Sequence, residues 1–179
     1  MSKIIWAAQR TPDIPLTQQP LTFGANIKIM NLKHLMINYA AYNAWANDSV
    51  VNWLRNKPNA VLFEETPASF SSLVKTLSHI LAVQEFWEAI VTETPLFSNR
   101  YLAQEFDAEE IFTTIGAQSH KLTTLLGDLM DEDMTKEITL DLPWAKGTLP
   151  RFEFLQHVFN HSTYHRGQLT TIAKIVGLT

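Results

Sequence analysis

A chain of 179 residues with 46% hydrophobic content is long enough for one domain with a sizeable core, and its composition is ordinary for a globular protein. Its 14 basic and 18 acidic residues leave a formal charge of -4 with no basic cluster longer than two residues, which argues against a nucleic-acid footprint. Cysteine is absent, which excludes disulfides, iron-sulfur ligation, thiolate zinc sites and a sulfur nucleophile of the protein's own. No segment approaches the roughly 20 continuous apolar residues needed to cross a bilayer. The opening Met1-Ser-Lys-Ile-Ile-Trp6 lacks a secretory pattern, so a cytoplasmic location is expected.

Residues 1–30 contain Pro12, Pro15 and Pro20 and show little periodicity, so they read as an irregular extension ahead of a domain spanning residues 31–179. The first predicted helix covers about Leu32 to Asn56, with an apolar stripe through Leu35, Tyr39, Tyr42, Trp45 and Leu54. Thr66-Pro67 is expected to open the second, with threonine as cap and proline at the first helical position, and Pro95 to close it. Its segment Ser72 to Trp87 is apolar on most of its circumference, as expected for a helix packed deep in a bundle. Asp107-Ala-Glu-Glu110 resembles a capping box at the head of the third, which runs to about Met130. The alternating apolar residues of 137–148, with a Lys146-Gly147 turn, predict a short β-hairpin capping one end of the bundle. Thr148-Leu-Pro150 starts the fourth helix and Gly177 ends it. The expected fold class is therefore all-α, four helices with a short hairpin before the last.

That last helix holds the most informative pattern. His157, His161 and His165, half of the six histidines, recur every four residues. Four residues advance a helix by about 400°, so successive members lie one turn apart and only about 40° around the axis. Phe154, Val158, His161, His165, Ile172 and Val176 follow the steps of four and three that mark a core-facing seam, which places His161 and His165 inside. An imidazole in an apolar seam needs a hydrogen-bond partner, water, or a metal ion. A third ligand must come from another helix, and His79 is the best candidate. His34 and His120 have polar neighbours and read as solvent-facing. His157 and His165 are about 12 Å apart along the axis, so one ion can take only one of the two pairs, and spacing leaves that choice open.

Tyr42-Asn-Ala-Trp45-Ala-Asn47, His79 followed by Phe86-Trp87, and Asn160-His161-Ser-Thr-Tyr-His165-Arg166-Gly167-Gln168 together resemble the DinB family of DNA-damage-inducible-type metalloenzymes. That family is unrelated to the DNA polymerase sharing its name, and the resemblance covers about residues 31 to 179. It implies a four-helix bundle whose second helix supplies one metal histidine and whose fourth supplies two: His79, His161 and His165. It further implies nickel or zinc with open coordination positions, a packing role for His157, and a homodimer. The exposed-looking aromatics Trp6, Phe97 and Tyr101 point to a dimer as well.

Relatives use the metal to hold the sulfur of a low-molecular-weight thiol. The implied activity is transfer of such a thiol to a small electrophilic substrate, without nucleic-acid or membrane partners. Metal-assisted hydrolysis of a small molecule and a non-enzymatic, stress-related metal-binding role are the alternatives. Neither interval between the histidines contains the glutamate of the HExxH metalloproteases, so a peptidase of that type is not expected. Candidates to line the mouth are Tyr42, Asn43, Asn47, Glu85 and Tyr164. Their plainer roles are core packing for Tyr42, solvation for Asn43 and Asn47, and a surface pair for Glu85. Arg166 would tie helices together and Gly167 would permit close packing.

Overall fold

The computed structural model describes residues 31–95 and 107–178, so the expected extension 1–30, Trp6, Phe97 and Tyr101 lie outside the described residues. Four long helices form the body: α1 (Leu32–Leu54), α3 (Leu73–Val91), α4 (Ala108–Asp128) and α5 (Arg151–Ile175), with a single turn α2 (Asn59–Leu62) after Pro58. Asn31 caps α1 by accepting from the His34 N–H at 2.8 Å, and Asp107 caps α4 by accepting from the Glu109 N–H at 3.1 Å. At the C-terminus of α5, Gly177 takes φ +78 while Leu178 N–H reaches back to Ala173 O at 2.8 Å, the left-handed cap expected of it.

Helix α3 departs from expectation at both ends. It opens at Ser72, whose hydroxyl accepts from the Lys75 N–H at 3.2 Å, and not at Thr66-Pro67. Residues Thr66 to Ser71 close on themselves instead: both the N–H and the hydroxyl of Thr66 donate to Ser71 O, at 2.6 and 3.1 Å, and Ser71 sits at φ 49. Hydroxyl side chains that bond local backbone compete with helix formation, and here the loop wins. The helix ends at Val91, before Pro95, because Glu93 adopts φ 55 and Thr94 N–H bonds Ala89 O at 2.9 Å.

The principal contacts run from α1 to α4 and α5, and from α3 to the same two helices, so α1 and α3 sit on one diagonal of the bundle. One apolar cluster joins the end of α1 (Val51, Leu54) to the starts of α3 and α4 and the end of α5 (Leu169, Ile172). The other joins Met36 and Ala40 to Trp87, Val91, Leu122, Leu126, Phe154 and Leu155. It follows that α1 and α5 run one way and α3 and α4 the other.

A hairpin of β1 (Glu137–Leu142) and β2 (Ala145–Pro150) covers the second cluster with Ile138 and Leu140. Its turn is Pro143-Trp144, since Leu142 pairs with Ala145, while Gly147 pairs with Leu140 inside the strand. Proline's fixed φ suits the second position of a turn and outweighs the Lys146-Gly147 signal. Arg151, 4% exposed, ties this end together by donating to Val91 O and Asp133 O, each at 2.8 Å, and to the Glu93 carboxylate at 3.1 Å.

The ends of the stripe expected on α1, Leu35 and Leu54, face the core, but its middle does not. Tyr39, Tyr42 and Trp45 are 46%, 52% and 62% exposed, whereas Met36, Ala40, Asn43, Asn47, Val51 and Leu54 face inward. Asn43 and Asn47 are therefore core residues and Tyr42 is not. They join Gln84, Gln118, Ser119, Ser162 and Arg166 in a polar layer between the two apolar clusters, to which all four long helices contribute. Gln84 Oε1 accepts from Asn43 Nδ2 at 2.6 Å and Asn47 Nδ2 at 3.1 Å, and Gln84 Nε2 donates to Gln118 Oε1 at 2.6 Å. Arg166 Nη1 donates to the Oδ1 atoms of Asn43 and Asn47 at 2.7 and 2.9 Å, tying α5 to α1 as expected. A Cβ at Gly167 would meet nothing within 4 Å, so that glycine serves no close packing.

Candidate metal centre

The half-exposed face of α3 carries His79, and α5 brings His161 and His165 opposite it, one turn apart. His79 Nε2 lies 3.1 Å from His161 Nε2, which lies 3.0 Å from His165 Nε2. One ligand nitrogen from each of the three falls within 4.8 Å of the others. The three histidines that the family resemblance singled out are thus brought together. His157 is exposed, its ring 5.0 Å from that of Trp87 and 6.0 Å from that of His161, which is a packing position. His34 and His120 are exposed, and His120 pairs with Asp48 at 2.8 Å.

A single Nε2–H can serve at most two neighbouring lone pairs here, so the cluster is rich in acceptors. A neutral imidazole has one ring proton, and His165 commits its own to Gln168 Oε1, 2.7 Å from Nδ1, leaving Nε2 with a bare lone pair. Gln168 is held in turn, since its Nε2 donates to the Tyr164 hydroxyl at 3.0 Å. His161 Nδ1 is the one buried side-chain nitrogen or oxygen without a hydrogen-bond partner among the described residues. What orients that ring is therefore its Nε2 side. Protonation does not relieve the crowding: burial first, and then the His165 ring, pushes His79 down from 6.5 to about 4. Burial, followed by His165, His79 and His157, pushes His161 to about 3. Burial also lowers His165, against the opposing bond to Gln168.

Neutral, lone-pair-bearing nitrogens aimed at one point are the donor set a first-row dication needs. Nitrogens that share such an ion at about 2.0 to 2.1 Å lie about 3 to 4 Å apart, which the two short separations match. The residues fit the group. Three imidazoles bring no negative charge, so a dication held there keeps its full charge for an anionic ligand.

One side of the cluster is closed by Phe70, which the sequence reading missed. Its ring stacks on His79 with centroids 3.9 Å apart and meets His165 edge-on at 5.4 Å. The loop that displaced the start of α3 is what brings it there, and no helical period could have revealed that. Among the expected mouth residues Tyr164 belongs to the site, its ring 5.0 Å from His165. Asn43 and Asn47 lie in the polar layer, and Tyr42 lies under Arg166 at 5.9 Å. Glu85 stands six residues from His79, about 120° away around α3.

A sequence profile of the DinB family matches residues 30–179. The chain belongs to the DinB family. It is 27% identical over 146 residues to Protein DinB of Bacillus subtilis, covering 76% of this chain and 83% of that relative. It is 23% identical over 147 residues to the uncharacterized protein YizA of the same organism, covering 80% of this chain and 89% of that one. The fold is shared with a DinB-like protein from Bacillus cereus at a TM-score of 0.65 and 18% identity, over 80% of this chain and 92% of that one. It is shared also with the DinB-like protein YjoA of Bacillus subtilis at 0.58 and 16% identity, over 81% and 93%. Within this DinB fold no helix of the described residues is long and apolar enough to cross a membrane.

Proposed function

We propose that this DinB-family chain is a metal-dependent enzyme that transfers a low-molecular-weight thiol to a small electrophile, holding a divalent nickel or zinc ion on His79, His161 and His165. The observation that carries the reading is the convergence of three Nε2 atoms, one of them fixed as a lone-pair donor by Gln168. Bound there, the ion supplies Lewis acidity that favours the thiolate over the thiol near neutral pH. The chain's own part is to keep the imidazoles neutral by burial, to lock the His165 tautomer, and to shield one side of the cluster with Phe70. In the reaction a sulfur–carbon bond forms, the leaving group departs with its electron pair, and the thiol proton passes to solvent. Because the chain has no cysteine, the sulfur must come from a free thiol.

The test incubates nickel- or zinc-loaded protein with a panel of low-molecular-weight thiols and a chlorinated aromatic electrophile, following thioether and chloride. Conjugate is expected with wild type, and none above background with His161→Ala. Absence of turnover with every thiol, combined with unchanged folding after metal removal, overturns the reading.

A further inference from the structure

Phe86, Trp87 and Trp144 have no part in the metal centre, yet they continue from it in a line. Phe86 stands seven residues after His79 on α3, about 10.5 Å along the axis and within about 20° of the same line, with Val83 between them. All three are half-buried. On α5 the exposed His157 stands one turn before His161, and Trp87 closes the far end, its ring 5.0 Å from His157 and 5.1 Å from Phe86. Trp144, at the hairpin turn, sets its ring 5.8 Å from Phe86 and is 68% exposed. At the other end Phe70 on His79 and Tyr164 against His165 close the cluster off.

We infer that this line is a groove for the apolar tail of a small-molecule ligand whose anionic head is held at the three imidazoles, the tail lying across the touching rings of Phe86 and Trp144. The inference rests on the metal-centre reading and deepens it by naming the substrate class: a metal-seeking anionic head joined to a flat apolar tail about 10 Å long. The direction follows from the walls. Phe70 belongs to the loop before α3 and covers the imidazoles on that side, whereas Val83 and Phe86 continue the half-buried face of α3 on the other. The hairpin's two-residue turn then has a use beyond covering the bundle end, because it carries a large apolar ring to the place where the tail ends.

The experiment measures the affinity of the zinc-loaded full chain for acetohydroxamate and for a phenylbutyl hydroxamate, which share a head and differ in the tail. Wild type is expected to bind the tailed probe about tenfold or more tightly, as burial of a phenyl ring provides. Trp144→Ala is expected to cut that preference to less than about threefold, with Trp144→Phe restoring most of it, while acetohydroxamate affinity and zinc per chain stay unchanged. A tail preference that is absent in wild type, or equal in wild type and Trp144→Ala, overturns the groove while leaving the metal centre standing. A chain that takes up no zinc, or whose bound zinc ignores acetohydroxamate, overturns the metal centre and the groove with it.

Discussion

Gln84 and His79 stand five residues apart on one helix, and each is the hub of a polar cluster inside an otherwise apolar bundle. Around Gln84 donors and acceptors are matched: its carbonyl oxygen takes protons from Asn43, Asn47 and Ser162, and its amide gives protons to Gln118 and Ser119. Around His79 they are not, because three ring nitrogens face one another and His161 Nδ1 has no partner among the described residues. Buried polar groups that are fully paired rigidify a fold, whereas a deficit of positive partners marks a place for a ligand. The amide layer is therefore architecture, and the imidazole cluster is the candidate functional site.

The sharpest way to break this contrast is to substitute both hubs in the metal-free protein. Gln84→Leu strands Asn43, Asn47 and Gln118 in the interior and is expected to lower stability by about 3 to 5 kcal/mol. His161→Leu replaces an imbalance with an apolar group and is expected to shift stability by less than about 1.5 kcal/mol in either direction. Urea unfolding of the two variants measures both, and equal losses would erase the distinction.

A second effect comes from pH. His79 and His161 titrate near 4 and 3 in the folded chain against 6.5 ordinarily, so the unfolded chain binds protons first. The metal-free protein should keep this contribution to stability above about pH 6.5 and lose it progressively as the pH falls toward 4 and then 3. His79→Leu/His161→Leu should flatten that part of the urea-midpoint profile. A double variant with the wild-type slope would show that the imidazoles are not held neutral.

Much of this arrangement is written in periodicity. The i, i+4 histidines of α5, the proline and glycine that bound that helix, and the alternating residues of β1 all express local geometry. The choice of candidate triad itself needed the family resemblance, since spacing could not choose between His157 and His165. What escaped was tertiary. On α1 the large rings of Tyr39, Tyr42 and Trp45 dominate any hydrophobicity reading, yet the inward seam runs through Met36, Ala40, Asn43, Asn47 and Leu54. Two asparagines four residues apart, in step with Met36 and Ala40, were the available signal. Phe70 escaped because a loop stabilised by Thr66 and Ser71 set its position.

Anomalous diffraction from crystals of zinc- or nickel-loaded protein shows whether His79, His161 and His165 jointly hold one dication. A single strong peak is expected about 2.0 to 2.1 Å from the Nε2 atom of each of the three rings, with no protein ligand from His157. An absent peak, or one coordinated by His157 in place of His165, would contradict it.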